Sequence, residues 1–316
     1  MRAVFLGTSS FAVPSLEKLI SDPQVEVVGV ITQPARRAGR GLRLRQPPVQ
    51  VVAVRHGLPI LQRARVRGDR NSLDWLRERQ LQVAVVVAFG QLLPRSFFEH
   101  PPLGTLNLHA SLLPAYRGAA PVARALLQGE TRTGVTVIRI DEGLDTGDIL
   151  TQTDLDIREE ETAGELEVRL AQLGADLLVK TLSGYAAGSI PPRPQDDSRA
   201  SYAPVLRKEE GQIDWFLSAQ RIHDQIRALD PWPVAFASFR DQPIRIWKSR
   251  LVGADLSRVR AAAVGEVLVC NSSGILVCCG EGSTLNLLEL QLTGRRRLPA
   301  VDFSNGVGLR AGEMLT

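Results

Sequence analysis

Short apolar runs alternate with helical patterns through the first 190 residues of the chain. The runs Arg2–Gly7, Glu26–Thr32 and 82–89 are apolar almost throughout, which is typical of buried parallel strands. Helical patterns follow at about 13–20 and 47–56, the second with proline at its start. This alternation predicts an α/β domain with a Rossmann-like, mostly parallel sheet.

The pattern changes after residue 190. Residues 191–198 read Pro-Pro-Arg-Pro-Gln-Asp-Asp-Ser, a composition typical of a linker. Beyond them, short strand patterns separated by frequent turns predict a small β domain. The sequence therefore predicts a first domain over residues 1–190, a linker over 191–205 and a second domain over 206–316.

A polar stretch at residues 107–121 follows an apolar run at 103–106. It reads Asn-Leu-His-Ala-Ser-Leu-Leu-Pro-Ala-Tyr-Arg-Gly-Ala-Ala-Pro. Because side chains alternate along a strand, Asn107 and His109 are expected on one face and the intervening leucine on the other. Open α/β sheets carry their ligand sites at the carboxyl ends of strands, so this amide and imidazole are candidates for chemistry.

A carboxylate follows the next apolar run, 135–140. Residues 141–148 form a glycine-rich segment that contains Asp145, and we expect it to approach the same edge of the sheet. An amide, an imidazole and a carboxylate without a nucleophilic serine or cysteine suit acyl transfer to an incoming amine. Such a site would polarise a carbonyl, stabilise its oxyanion and move protons.

Three fragments now occur together: Asn107-x-His109, Ser-Leu-Leu-Pro-Ala-Tyr-Arg-Gly at 111–118 and Gly-Leu-Asp-Thr-Gly at 143–147. They resemble the signatures of the 10-formyltetrahydrofolate-dependent formyltransferases, and among these the enzymes that act on methionyl-tRNA. The resemblance implies that Asn107, His109 and Asp145 are catalytic. It implies formyl transfer from 10-formyltetrahydrofolate to the amino group of methionyl-initiator tRNA for translation initiation, without a metal.

The resemblance also assigns the domains and the folate site. Residues 1–190 would form the formyltransferase domain, and residues 206–316 an OB-like β-barrel that binds tRNA. The implied folate-binding residues are Phe89, Gly90, Gln91, Leu92, Ser111, Leu112, Leu113, Pro114, Asp141 and Gly143. Phe89 stands where the family more often has tyrosine. Taken alone, the segment after it is equally typical of an ordinary strand-to-helix turn.

The net charge of +4 is unevenly distributed along the chain. Residues 36–70 contain ten arginines and one acid, whereas residues 71–190 contain ten bases and sixteen acids. Such a local basic field indicates a polyanionic partner. A GC-biased genome would account for the preference for arginine, but not for the missing acids.

Residues 33–45 lie in this basic field and read Gln-Pro-Ala-Arg-Arg-Ala-Gly-Arg-Gly-Leu-Arg-Leu-Arg. Their glycines, proline and lack of periodicity predict a mobile loop. It resembles the family's tRNA-reading loop, although Ala35 replaces the acid of the usual Pro-Asp-Arg. A solvated charge run is the alternative. The expected tRNA contacts are Arg36, Arg37, Arg40, Arg43, Arg45, Arg295, Arg296 and Arg297.

Other features narrow the class of protein. No apolar run approaches the ~18 residues of a membrane span, and the N-terminus does not read as a signal peptide. The three cysteines lack a metal-binding spacing, which is typical of a reduced, cytoplasmic protein. We expect a monomer with no membrane partner.

Two alternatives remain open at this stage. The same chemistry could act on an amino-sugar nucleotide or on glycinamide ribonucleotide, or the chain could bind folate or RNA without catalysis. The arginine-rich loop and the added β domain favour tRNA as the acceptor. The presence of Asn107, His109 and Asp145 favours an enzyme.

Overall fold

The computed structural model describes residues 1–38, 43–253 and 262–316. The chain forms two compact units that are not contiguous in sequence. The first comprises Met1–Pro121, Arg132–Asp156 and Glu167–Pro204; the second comprises Val122–Thr131, Ile157–Leu166 and Val205–Thr316.

The elements up to residue 203 include both strands and helices. The strands are β1 (Arg2–Gly7), β2 (Glu26–Thr32), β3 (Arg36–Ala38), β4 (Arg43–Arg45), β5 (Ile60–Gln62), β6 (Val83–Val87), β7 (Thr105–His109), β8 (Arg117–Gly118), β9 (Arg132–Arg139), β10 (Ile149–Asp156) and β11 (Tyr202–Ala203). The helices are α1 (Val13–Ser21), α2 (Pro48–Arg55), α3 (Arg70–Arg77), α4 (Arg95–Phe98), α5 (Pro121–Leu127) and α6 (Ala163–Ala186).

A seven-stranded sheet in the order β10–β9–β7–β6–β1–β2–β5 forms the centre of the first unit. Strands β5, β2, β1, β6 and β7 run parallel, and β9 and β10 extend the sheet antiparallel beyond β7. All five residues of β6 are buried, as expected for a central strand. The predicted mostly parallel sheet is confirmed. The strand order reverses at β1, so the carboxyl ends of β1 and β6 meet where such sheets bind ligands.

Helix α6 begins with the capping box that its sequence predicts. The Thr162 backbone N–H donates to Glu165 Oε2 at 2.9 Å, and the Glu165 N–H donates to Thr162 Oγ1 at 3.3 Å. At the other end, Gly188 adopts a φ of 72°, a left-handed conformation that glycine tolerates and that ends helices. Local sequence therefore determines both ends of this helix.

Two short strands occupy much of the segment expected to be a loop. Strand β3 pairs antiparallel with β4. Residues 39–42 between them, including Arg40, lie outside the described residues, and of Arg43 only the backbone pairing with Ala38 is described. The sequence does not predict this pairing because backbone groups form it, and its exposed residues carry no apolar alternation.

The second unit is rich in antiparallel β-structure. Its elements are α7 (Ala219–Ala228), β12 (Ala235–Phe239), β13 (Gln242–Leu251), β14 (Val267–Asn271), β15 (Gly274–Cys279), β16 (Ser283–Leu292), β17 (Leu298–Pro299) and α8 (Ala300–Val307). The sheet order is β12–β13–β16–β15–β14, with β17 on β16. The predicted β-rich second half is confirmed, and it also contains α8, which was not predicted.

The second unit has its own hydrophobic core. Trp215, Ile222 and Phe303 pack there with apolar residues of the sheet. Cys279 also belongs to this core, and burial raises the pKa of its thiol to about 12. None of the helices among the described residues is long and apolar enough to cross a bilayer.

Candidate active site

Strand β7 carries two of the predicted catalytic residues. Asn107 is half-buried, whereas His109 is 6% exposed and the intervening Leu108 is 3% exposed. The backbone of β7 is fixed on both sides, because β6 pairs with one edge and β9 with the other. Asn107 lies opposite Ile138 and His109 opposite Thr136. The two polar side chains therefore project from a rigid strand between two neighbours.

A buried hydroxyl fixes the turn that follows β7. Thr136 Oγ1 donates to Ser111 O at 2.7 Å and accepts from the Leu113 N–H at 3.1 Å. Gln152 Nε2 donates to Leu113 O at 2.7 Å and to Thr136 Oγ1 at 2.9 Å. The single donor and both acceptor positions of the threonine hydroxyl are thus in use. The predicted folate-binding residues 111–114 are held in one conformation by this network.

Asp145 lies between the two polar residues of β7. Its Oδ1 is 3.4 Å from Asn107 Nδ2, and its Oδ2 is 3.6 Å from His109 Nδ1. The Gly118 N–H donates to the same Oδ2 at 2.9 Å. The His109 and Asp145 side chains are only 7% and 14% exposed. The structure therefore brings together the three residues that the sequence predicts to be catalytic.

The loop that presents Asp145 depends on its glycines. A Cβ at Gly147 would lie 1.8 Å from Arg139 O, and one at Gly143 would lie 2.0 Å from Thr146 Oγ1. Asp141 Oδ1 accepts from the Gly143 N–H at 3.0 Å and from Thr146 Oγ1 at 2.6 Å. The predicted folate residues Asp141 and Gly143 are exposed and stabilise this loop.

The other nitrogen of His109 contacts a backbone carbonyl. Nε2 lies 2.9 Å from Tyr116 O, and because a carbonyl can only accept, Nε2 donates. Tyr116 has a φ of 60°, an uncommon conformation for a residue with a bulky side chain. The segment 116–118 thus contacts both His109 and Asp145 through its backbone.

The predicted folate residues after β6 are also at the carboxyl edge of the sheet. The Phe89 ring is 1% exposed in the core, and its carbonyl accepts from Thr8 Oγ1 at 3.2 Å and Gln33 Nε2 at 2.8 Å. The Gln91 side chain accepts from the Val66 N–H at 2.9 Å and donates to Arg63 O at 3.0 Å. Phe89 and Gln91 are therefore held by protein contacts at this edge of the sheet.

Gly90 and Leu92 are the remaining predicted folate-binding residues after β6. Gly90 has a φ of 75°, and Leu92 is 63% exposed. Because β6 and β7 are adjacent and parallel, residues 89–92 and 111–114 follow neighbouring strands at one edge. Their role as a folate site stays a prediction.

The described arginines of the predicted tRNA set lie at the surface. Arg36, Arg37 and Arg45 are exposed on the β3–β4 hairpin, and Arg36 donates to the side-chain oxygen of Gln33. Arg295 and Arg296 are exposed in the second unit.

Arg297, also in the second unit, has protein partners. It forms an ion pair with Glu289 and lies 4.8 Å from the centre of the Trp247 ring. These contacts orient its guanidinium, and its contact with tRNA stays a prediction.

Sequence reasoning missed two residues of the site. Gln195 Nε2 donates to the carbonyls of Asp145 and Gly147 at 2.8 and 2.7 Å. Arg117 is 3% exposed and donates to Gln195 Oε1. Arg117 lies inside a signature fragment, and an arginine within an otherwise small and apolar stretch was a usable signal. Gln195 lies in the proline-rich segment, where local sequence offers no such signal.

Comparison with known proteins identifies the family of this chain. The family described as "Formyl transferase" matches residues 1–182, and the family described as "Formyl transferase, C-terminal domain" matches residues 205–308. The chain therefore belongs to the formyl transferase family.

The curated relatives narrow the family further. A methionyl-tRNA formyltransferase of Solibacter usitatus is 50% identical over 315 residues, covering 100% of this chain and 98% of the relative. A methionyl-tRNA formyltransferase of Bacillus subtilis is 40% identical over 314 residues, covering 99% and 97%. The similarity thus extends over both units and essentially the full length of these relatives.

Solved structures share the fold at low identity. WlaRD, a sugar 3N-formyl transferase solved in the presence of dTDP and 5-N-formyl-THF, superposes with a TM-score of 0.66 at 20% identity, covering 94% of this chain and 99% of that one. A methionyl-tRNA formyltransferase from Clostridium thermocellum gives 0.54 at 15% identity, covering 80% and 94%. At these identities the comparison supports the fold and not the acceptor.

Proposed function

We propose that this protein transfers the formyl group of 10-formyltetrahydrofolate to the amino group of methionyl-initiator tRNA. The product, N-formylmethionyl-tRNA, serves translation initiation and links one-carbon metabolism to protein synthesis. The convergence of Asn107, His109 and Asp145 carries this proposal. It occurs in a chain that is 50% identical to a full-length methionyl-tRNA formyltransferase. We further propose that the protein acts as a cytoplasmic monomer.

The reaction needs hydrogen-bond donors that stabilise the formyl oxygen. A carbon–nitrogen bond forms to the methionyl amine, the bond to N10 of the folate breaks, and one amine proton ends on N10. Negative charge develops on the formyl oxygen as the amine attacks, and hydrogen-bond donors fixed at that position lower the barrier. Asn107 Nδ2 and the His109 ring are the candidate donors.

The contacts of Asn107 and His109 with Asp145 are long enough for their N–H groups to take part in this role. Their distances to Asp145, 3.4 and 3.6 Å, are longer than a good hydrogen bond. Asn107 can therefore donate one N–H to the formyl oxygen while it stays close to the carboxylate. The Nδ1–H of His109, whose contact with Asp145 is long, can be shared with the formyl oxygen. Such contacts commonly tighten only when substrate binds.

The surroundings of His109 support a charged ring during the reaction. One ring nitrogen donates to Tyr116 O and the other faces Asp145. Acceptors at both nitrogens are satisfied together only by the doubly protonated imidazolium. Asp145 would stabilise that charge and help to move the amine proton, directly or through water.

The substrate contacts form the other part of the proposal. Residues 89–92 and 111–114, with Asp141 and Gly143, would hold 10-formyltetrahydrofolate. The arginines of the β3–β4 hairpin and of residues 295–297 would contact tRNA phosphates. In this scheme residues 1–190 perform the chemistry, residues 191–205 link the two parts, and residues 206–316 bind tRNA as an OB-like domain.

A sugar acceptor is the alternative, and the fold comparison does not distinguish it from tRNA. The sugar 3N-formyl transferase superposes with a higher TM-score, 0.66, than the Clostridium thermocellum enzyme, 0.54. Both structures are at most 20% identical to this chain. The 50% identity over nearly the full length of a methionyl-tRNA formyltransferase supports tRNA as the acceptor.

An acceptor competition tests the proposal. The purified protein is given 10-formyltetrahydrofolate with methionyl-initiator tRNA, a dTDP-linked amino sugar or glycinamide ribonucleotide. We expect kcat/KM for methionyl-tRNA to exceed the other two by at least about 10³-fold, within the range that enzymes reach when polar contacts separate substrates. Preference for either small acceptor would refute the proposed substrate.

A further inference from the structure

We propose that Gln195 is a positioning residue of the catalytic site, which holds the Asp145 loop in place for formyl transfer. The inference deepens the proposed function and rests on it. It also changes the role of residues 191–204, because this segment then completes the active site of the first unit and does more than link two domains.

The Asp145 loop, residues 141–148, needs contacts with residues outside the loop to keep its conformation. Asp145 has a φ of 55°, a left-handed conformation that costs free energy and persists only where surrounding contacts favour it. The Asp141 carboxylate stabilises the first half of the loop. The carbonyls of the second half, at Asp145 and Gly147, both accept from Gln195 Nε2 at 2.8 and 2.7 Å.

The orientation of the Gln195 amide follows from its partners. Its nitrogen faces two carbonyl oxygens, which can only accept. Its oxygen faces Arg117 Nη2 at 2.8 Å and Nε at 3.2 Å, which can only donate. A flipped amide would lose all four contacts, so the network fixes one rotamer.

The hydrogen bonds that Gln195 donates to the Asp145 and Gly147 carbonyls are called the tether below. Arg117 links this tether to the predicted catalytic side chains. It is 3% exposed and lies between Tyr116, whose carbonyl accepts from His109, and Gly118, whose N–H donates to Asp145. The contacts therefore form a closed ring from the Asp145 carboxylate through Gly118, Arg117 and Gln195 back to the Asp145 carbonyl. Asp145 is held at both its side chain and its backbone.

The segment after Gln195 holds the backbone of Arg117 and Gly118, which forms the other side of this ring of contacts. Strand β11 pairs parallel with β8, and the Arg117 N–H donates to Ser201 O at 2.8 Å. A Cβ at Gly118 would lie 2.7 Å from Ala203 O, so the two segments are in close backbone contact. Residues 195–203 therefore fix both the Asp145 loop and the strand that contacts it.

Loss of the tether should affect the chemical step more than binding. A displacement of about 1 Å at a catalytic group can reduce the rate by about 10²-fold. We expect Gln195→Ala to lower kcat for formylation of methionyl-tRNA by roughly 10- to 100-fold. The dissociation constants of folate and tRNA, measured at equilibrium, should change by less than about threefold, because no predicted substrate contact is removed.

Two further variants separate positioning from a general structural role. Gln195→Glu retains the size and the contact with Arg117 but cannot donate to the two carbonyls when ionised, so its kcat should fall as far as that of Gln195→Ala. Gln172→Ala is the matched control, because it removes an exposed glutamine of α6 in the first unit. Its kcat should stay within about twofold of the wild type, as for other surface substitutions.

A double-mutant cycle identifies the residue through which Gln195 acts. If it acts through Asp145, adding Gln195→Ala to Asp145→Ala should lower the single-turnover rate by less than about twofold, since coupled residues are not additive. Additive losses, or full kcat in Gln195→Glu, would overturn the inference.

Amide hydrogen exchange across residues 141–148 provides a measurement that needs no acceptor. Exchange should accelerate in Gln195→Ala and stay unchanged in Gln172→Ala. Equal protection in the wild type and Gln195→Ala would also overturn the inference. A wild type that does not formylate methionyl-tRNA would instead count against the proposed function, while the exchange measurement would still test the tether.

Discussion

At the scale of single residues, the site depends on which atoms can donate and which can only accept. Asp145 is the shared partner: one oxygen is near Asn107, and the other receives the Gly118 N–H and faces His109. Asn107 thus has a partner that orients it and a second amide N–H left for substrate, whereas both ring nitrogens of His109 face acceptors. The proposed roles lead to a direct test by substitution.

Replacing His109 or Asn107 with alanine should lower kcat by about 10²–10³-fold, the usual cost of removing an oxyanion donor. Folate affinity should change little, because neither residue belongs to the predicted folate set. Steady-state formylation and equilibrium folate binding measure the two effects. His56→Ala, which removes an exposed imidazole from the first unit, is the control. Near-normal turnover in His109→Ala would be incompatible with the proposed mechanism.

At the scale of elements, the β3–β4 hairpin presents charge from a defined backbone. Its pairing places Arg36 opposite Arg45 and Arg37 opposite Leu44. Leu44 is 68% exposed. Like charges directly opposite each other destabilise a hairpin, so this arrangement favours a polyanionic partner that neutralises them.

Arg37→Ala and Arg45→Ala should each weaken tRNA binding. Each should also reduce the slope of log K against log salt by about 1 if it contacts one phosphate. The folate KM should not change. Lys180→Ala, which removes an exposed charge from α6, should leave the slope unaltered. An equal fall in formylation of a small amine would show that the hairpin acts on the fold and not on the RNA.

Helix α7 contributes a pH-sensitive contact to the second unit. His223 Nδ1 lies 2.9 Å from Ser249 Oγ, and its Nε2 lies 3.3 Å from Glu159 O. Burial lowers the pKa of His223 below its ordinary 6.5. The charged groups that also influence this pKa are Arg227, Asp224 and Glu160.

The sign of the pH effect follows from this lowered pKa. Above pH 6.5 the ring is neutral in both states; below it the unfolded chain takes up a proton before the folded one does. Stability should therefore fall as pH drops from 6.5 through the lower folded-state value. Urea unfolding at pH 7.5 and 5.0 should show a smaller decrease for His223→Gln than for the wild type. Equal decreases would contradict the prediction, and His56→Gln controls for an exposed imidazole.

At the scale of the whole molecule, segments of the two units alternate along the chain. Segments 122–131 and 157–166 belong to the second unit although they precede residue 205. Within that unit, Arg124 pairs with Glu210 at 2.5 Å, and the Gly164 N–H donates to Asp230 O at 3.1 Å. A cut before residue 205 removes the partners of both segments.

A fragment ending at Pro204 should consequently unfold at a lower urea concentration than the same residues in the full chain. A fragment ending at Pro194, which the sequence alone suggests would fold, lacks Gln195 and β11 as well. We expect it to lose more stability, with faster hydrogen exchange at residues 141–148. Unfolding curves of the two fragments and the full chain make the comparison. Identical midpoints for both fragments would show that residues 195–204 contribute nothing to stability.

The sequence by itself determined the elements whose signals are local. Strand β6 was predicted because its residues are uniformly apolar. The spacing of Thr162 and Glu165 is likewise a local signal, because their capping box starts α6. The catalytic candidates were found in the same way, since alternation along β7 and the glycines around Asp145 are both visible in the chain.

Only the tertiary structure decided the contacts between distant segments. Gln195 reaches the Asp145 loop across 50 residues, and Arg117 meets Gln195 across 78. The hydrogen bonds that Gln195 donates to the loop are accepted by backbone carbonyls, which every residue possesses, so no residue type in the loop indicates its partner. A segment that is polar and proline-rich by composition can therefore complete a catalytic site, because its role depends on where the fold places it.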